Sequence, residues 1–199
     1  MSFRDFSFPS VQQQLNLRLE EADLFQQVPA RAVSAEFRER LDYAVGLALT
    51  ISTEKARSEF IIAPVLIEVI RSHQGKSSLF SGVEFDVDPD RGLNGVCDFL
   101  LSRSPIQSVL SAPVIAIAEA KNDNIRTGLG QCISAMVAAR QFNHNHEELV
   151  PTIYGAVTTG ASWKFLTLTD DLLTIDRREY FIAEIEKIIG ILSHILETA

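Results

Sequence analysis

The sequence predicts an α/β domain: a central mixed β-sheet flanked by helices. Three observations carry this. Segments with helical periodicity alternate with apolar runs of strand length. The first three such runs lie close enough in sequence to meander as antiparallel strands. A helical segment between the third and fourth runs makes a parallel return. The expected order is helix, helix, three strands, helix, two strands, helix.

Residues 1–30 read as an N-terminal arm, with residues 31–199 as a single domain. In the arm, Leu15, Leu17 and Leu19 alternate with Asn16, Arg18 and Glu20, the pattern of a short strand. Ser34 is a good N-cap, and Phe37, Leu41, Val45 and Leu49 recur at helical spacing, which predicts a helix over 34–50. Thr53 caps a second helix reaching His73. Its wide stripe of Ile61, Ile62, Val65, Leu66, Val69 and Ile70 implies deep burial, and Pro64 should kink it or start it afresh. A strand is expected over 82–87, followed by a turn at Asp88-Pro89-Asp90-Arg91-Gly92. Further strands are expected over 94–102 and 113–121, a helix over 127–142, strands over 151–158 and 163–168, and a last helix over 178–197.

Composition sets the bounds. The chain has 199 residues, 46% hydrophobic and 22% charged, which suits one ordinary globular domain. No apolar run approaches the roughly 20 residues needed to span a bilayer, and the N-terminus lacks a signal-peptide core. The expectation is a cytoplasmic protein with no membrane partner, its two cysteines, Cys97 and Cys132, buried as free thiols. His144 and His146 sit in a polar stretch that reads as a solvated loop. The net charge of −8 counts against extended nucleic-acid binding without excluding it, because a metal site is itself acidic.

Two stretches carry chemistry. Val96-Cys97-Asp98-Phe99-Leu100-Leu101 and Pro113-Val114-Ile115-Ala116-Ile117-Ala118-Glu119-Ala120-Lys121 are apolar runs, each with a lone acid. Alternation places Glu119 and Lys121 on one strand face, with Ile115 and Ile117 behind them, and Ala116, Ala118 and Ala120 on the other. A carboxylate ending an apolar strand is costly to desolvate unless it is paired or binds an ion. With Asp98 on a neighbouring strand, two carboxylates and a lysine converge as a divalent-cation site. Mg2+, for which Mn2+ substitutes, needs few protein ligands: Asp98, Glu119 and the Ala120 carbonyl would suffice. Lys121 would orient an attacking water. Arg126 and the backbone at Gly128 and Gly130 would receive a phosphate.

The helix–β–β–β–helix–β order, the Asp inside the second strand and Glu-x-Lys ending the third resemble the PD-(D/E)XK nuclease superfamily over residues 53–168. The chain is also similar to small uncharacterised bacterial proteins of that superfamily. The resemblance implies a restriction-endonuclease-like three-layer core and a Mg2+-dependent nuclease acting on DNA. Asp98 stands for the first acid, Glu119 for the second and Lys121 for the lysine. Glu59 matches a glutamate that several branches carry on the first core helix, and Gln131 a glutamine at the start of the following helix. Thr158-Thr159-Gly160 followed by Trp163 resembles an element of type I restriction motor subunits. Cys97 in place of proline before Asp98 is a departure. The alternative is a catalytically silent nucleic-acid-binding or regulatory module on the same fold.

Several residues have ordinary readings as well. Glu59 is an i,i+4 partner for Lys55, Gln131 an ordinary helix residue, Gly128 and Gly130 loop glycines, Arg126 a solvated cation and Trp163 a core residue. The last helix carries Phe181, Ile185, Ile188, Ile189, Leu192 and Leu196 on a face too broad for one sheet to cover, which predicts a homodimer.

Overall fold

The structure, a computed structural model, describes residues 1–198. Eight strands lie among them: β1 (Arg18–Ala22), β2 (Ser78–Glu84), β3 (Val96–Ser102), β4 (Val114–Ala120), β5 (Thr152–Thr158), β6 (Ser162–Thr169), β7 (Leu172–Asp176) and β8 (Tyr180–Phe181). The helices are α1 (Ser10–Gln14), α2 (Ala35–Ile51), α3 (Glu54–Arg57), α4 (Ala63–Ser72), α5 (Ile125–Asn145) and α6 (Ile185–Thr198). One mixed sheet runs β1-β7-β6-β5-β4-β3-β2, with β8 paired to β6. The β1–β7 and β4–β5 pairs are parallel and the others antiparallel. The α5 crossover between β4 and β5 is what makes their pairing parallel.

Each sheet face has its own core. One joins α2, α3, α4 and α6 to Phe99, Leu101, Ala118, Trp163 and Phe165. The other joins α5 and the N-terminal residues Phe3, Phe6, Val11 and Leu15 to Leu100, Ile117, Val157 and Leu166. Sequence signals set the helix starts. Ser34 accepts a hydrogen bond from the Phe37 N–H at the head of α2, and Thr53 one from the Ala56 N–H at the head of α3. Pro64 stands in the first turn of α4, where its missing N–H costs no helix bond, so the helix starts afresh there as expected. Before it, Ser58–Ile62 widens into a π turn, in which the Ala63 N–H donates to the Ser58 carbonyl, and α4 continues beyond that turn.

Four expectations change. Strand β2 starts at Ser78 rather than at Gly82, and Gly82 lies inside it with φ of 64°. Beyond β2, Phe85 and Val87 keep only single backbone bonds to Gly95 and Leu93. Strands β7 and β8 were not anticipated. The helix expected over 178–197 begins at Ile185, because Tyr180–Phe181 pair with β6 and Ile182–Glu184 form a 3-10 turn. Finally, Ile115 joins the core opposite that of Ile117. Leu101 pairs with Ala116 but Ser102 with Val114, so Ile115 is the extra residue of a bulge and the alternation slips.

Residues 1–30 are tied to the domain throughout. Phe3 and Phe6 are buried against α5, and β1 is a sheet edge strand. The following segment lies on α6: Lys187 donates to the Phe25 and Val28 carbonyls, and the Arg31 N–H to the Glu186 carbonyl. That segment, with α4, covers α6, whose Ile185, Ile188, Ile189, Ile191, Leu192, Ile195 and Leu196 are all buried within the chain. The broad apolar face therefore gives no reason to expect a homodimer, and Phe181, on β8, is not part of it. Among the described residues no helix is long and apolar enough to cross a membrane.

The N-terminal segment lies so close to α5 that a Cβ on Gly130 would fall on the Phe6 carbonyl. Gly130→Ala should therefore cost about 1–3 kcal/mol in urea unfolding. Gly46→Ala, in open space on α2, should be neutral or add up to about 1 kcal/mol.

Candidate active site

Asp98 owes its position to a break in the sheet. The β2–β3 ladder pairs Ser81 with Phe99 and Val83 with Cys97, but has no pair between them, where Gly82 faces Asp98. The face alternation slips there: Cys97 and Leu100, three residues apart, enter the same core, and so do Phe80 and Val83. The left-handed conformation at Gly82 suits glycine. On its other side β3 leaves β4 after the Phe99–Ala118 pair. The Asp98 Oδ2 then accepts the Ala120 N–H at 2.8 Å, a side chain standing in for the lost backbone partner.

Glu119 sits one residue before that contact, on the α5 side of β4. It is completely buried, and among the described residues no N–H or O–H group donates to either of its oxygens; its carboxyl meets only the Asp98 carboxyl, a hydrogen bond that requires a shared proton. Burial first, then the Asp98 charge, push its carboxyl well above the usual range, while Lys121 and Arg4 pull the other way. Cys97 and Cys132, both free, are buried beside it. Burial is the chief cause that raises both thiols, and the Glu119 charge adds to it.

Lys121 reaches back along the same edge. Its ammonium lies 3.9 Å from Glu119 Oε2, too far for a hydrogen bond. It donates instead to the Ala120 carbonyl at 2.7 Å and to Gln131 Oε1 at 3.3 Å. The aliphatic stem is held by α5, because a Cβ on Gly128 would lie 2.6 Å from Val157 Cγ1 and 2.9 Å from Lys121 Cγ.

The structure thus brings Asp98, Glu119, Ala120, Lys121 and Gln131 together. Glu59 goes elsewhere: its side chain pairs with Lys55 at 2.7 Å and borders a groove of about 730 Å3 between α2 and α4. Gly128 and Gly130 are buried packing positions, against Lys121 and Phe6, not an open phosphate cradle. The first free N–H groups of α5 lie earlier, after the Asn124 cap, which accepts the Arg126 N–H. The Arg126 side chain is exposed. Trp163 is fully buried, its Nε1–H donating to the Gly160 carbonyl.

Sequence reasoning missed two cations here. Arg4, on the N-terminal turn, acts electrostatically on Glu119. Arg57, at the end of α3, donates to the Thr159 carbonyl beside the site. Hydrophobic periodicity marks neither, since each is placed by tertiary packing.

The donor set suits a hard cation: the Asp98 and Glu119 carboxylates and a main-chain carbonyl. Among the described residues no group of three or more His, Cys, Asp or Glu side chains is placed to hold a metal ion, so water would complete the shell around these few ligands. No family model matches the chain, and no curated protein is significantly similar to it.

The raised Glu119 carboxyl has a stability consequence. The folded state holds this proton where the unfolded chain has released it, so stability is full below the ordinary glutamate pKa and falls as pH rises above it. Glu119→Gln, in metal-free buffer, should raise Tm by about 2–4 °C at pH 8, near 1 kcal/mol for a chain of this size. That gain should vanish toward pH 4. A pH series of thermal unfolding curves reads both.

Proposed function

We propose that this chain is a metal-dependent phosphodiester hydrolase, a nuclease acting on DNA. The observation that carries the reading is Glu119. Among the described residues no N–H or O–H group donates to this buried carboxyl, which lies beside the Asp98 carboxyl at the carboxyl end of a strand and is held protonated unless a cation offsets its charge. Such a group is costly to keep without a compensating cation. The element order also supports the reading. A helical run at 54–72, the antiparallel β2-β3-β4 meander, α5 and the parallel β5 follow the arrangement of the restriction-endonuclease-like fold. Mg2+, or Mn2+ in its place, would supply Lewis acidity and a nucleophile at neutral pH when bound.

The protein's own groups then divide the work. Asp98 and Glu119 would hold the cation through side-chain oxygens, with the Ala120 carbonyl as a further ligand. The Lys121 ammonium, which rests on that carbonyl and on Gln131, would orient the attacking water and balance charge on the phosphate oxygens. Arg126 contacts the DNA backbone from the start of α5. The two buried free thiols fit a reducing compartment such as the cytoplasm.

Calorimetry with Mn2+ should show binding to the wild type and none to Asp98→Ala; equal binding by both overturns the assignment. Mg2+-dependent cleavage of duplex, single-stranded and branched DNA should fall roughly 10²–10³-fold in Lys121→Ala and at least as far in Glu119→Gln. DNA binding without cleavage by the wild type would replace the hydrolase with the silent binding module.

A further inference from the structure

Arg57 is the one guanidinium of this edge that is both buried and poorly used. Its side chain is 10% exposed. Nη1 donates to the Thr159 carbonyl at 3.1 Å, and Nη2 lies 3.5 Å from Asp123 Oδ1, a carboxylate that is itself 72% exposed. The Nε has no partner among the described residues. A guanidinium has five donors in a rigid fork. Here one is well used, one is weakly paired to a solvated acid, and the position is largely withdrawn from water. A stable fold gains little from this, since a neutral side chain could fill the space without the cost of a buried charge.

The backbone places Arg57 at the site. Ala120 pairs with Thr158 across the parallel β4–β5 pair, and the Lys121 N–H donates to the Thr158 carbonyl. Thr159, held by Arg57, is the next residue, and Asp123 lies two residues beyond Lys121. Arg57 therefore bridges the two loops that leave the carboxyl ends of β4 and β5. Crevices outside the carboxyl ends of strands are where open α/β sheets bind ligands. Its own support is a π turn, Ser58–Ile62, a local irregularity that is frequent at functional sites.

Resting on the nuclease reading, we infer that Arg57 binds a DNA backbone phosphate at the carboxyl edge of β4 and β5. The phosphate takes the Nη2 end of the fork, the end that meets the solvated Asp123, and displaces that carboxylate. Asp123 then acts as a weak internal competitor that holds the guanidinium in place when no DNA is bound. The recognition is of phosphate, not of base edges, so it is independent of sequence.

The test is anisotropy of a short fluorescein-labelled DNA duplex, and of its single strand, titrated with full-length protein. Ca2+ replaces Mg2+ so that binding is read without turnover, and the titration is repeated across a salt series. Arg57→Gln should weaken binding about tenfold and lower the magnitude of the salt slope by about one. Arg57→Lys, which keeps the charge and the folded state, should retain the slope but lose affinity. Asp123→Asn should tighten binding a few-fold by removing the competitor. A merely structural Arg57 would lower Tm and leave the slope and the Asp123→Asn affinity at wild-type values, which overturns the inference. In that case Mg2+-dependent cleavage that still requires Glu119 leaves the nuclease reading standing. A wild type that binds neither DNA overturns both.

Discussion

A carboxyl group buried where, among the described residues, no N–H or O–H donor meets it, only the Asp98 carboxyl, is the constraint around which this molecule is arranged. Glu119 is held on the α5 side of β4, where α5 must come close enough to exclude water. Gly128 allows that approach, leaving room for Val157 and the Lys121 stem. Gly155 allows it one strand over, where a Cβ would crowd Met136 and Cys132. The N-terminal segment closes the same side, with Phe3 and Phe6 buried and the Phe6 backbone lying on Gly130. Each contact lowers the local polarity around Glu119 and so raises the cost of its charge. Packing and electrostatics oppose each other here. Apolar enclosure stabilises the fold while it disfavours an ionised group that a simple strand would not contain. Real proteins depart from local consistency mainly at functional sites, and this is the clearest departure in the chain.

A second departure couples the sheet edge to the carboxylates. Gly82 and Asp98 interrupt the β2–β3 ladder at the point where β3 also leaves β4. One positive φ at Gly82 lets both strands change face together. Regular alternation would commit Asp98 to one sheet face; the slip leaves it turned to the Ala120 N–H, between the strands. Asp98 thus fixes the backbone that carries both Glu119 and Lys121. The same backbone atoms link onward through Thr158 to the β5–β6 loop and to Arg57. The candidate ligands and the nearby cations share one short run of main chain.

Much of this was legible in the sequence, for identifiable reasons. Strands β3, β4, β5 and β6 and helix α2 announce themselves by apolar runs, alternation and a Ser34 cap. Asp98 and Glu-x-Lys stand out because charge is rare in such runs. Gln131 was placed only through the family resemblance, and the structure puts it on Lys121. Other features depend on tertiary context that local pattern does not encode. Ile115 changed face because of a bulge set by its partner strand. Phe181 and Ile182 looked helical until β6 offered Tyr180 and Phe181 a ladder. Strand β7 follows a turn at Asp170-Asp171, an acidic pair between two apolar runs that a closer reading would have taken as a hairpin turn, and Asp170 there has a positive φ. Glu59 could be read as site residue or as helix-surface partner, and the structure shows it in the i,i+4 pair with Lys55.

The overall charge of −8 is a poor guide to what this edge attracts. Exposed charges more than a Debye length away, about 8 Å at physiological salt, are largely screened, so a ligand at the carboxyl ends of β4 and β5 responds mainly to its immediate neighbours. There Lys121 and Arg57 are held by backbone carbonyls, Arg126 opens α5, and Arg4 acts on Glu119 from the N-terminal turn. Against them stand Asp98, Glu119 and Asp123. Four cations against three acids leave this edge slightly positive, and more so while Glu119 keeps its proton, within a chain that is negative overall. On the nuclease reading proposed above, a divalent ion joining the two acids would strengthen that field, so metal loading and phosphate binding would reinforce each other by electrostatic linkage.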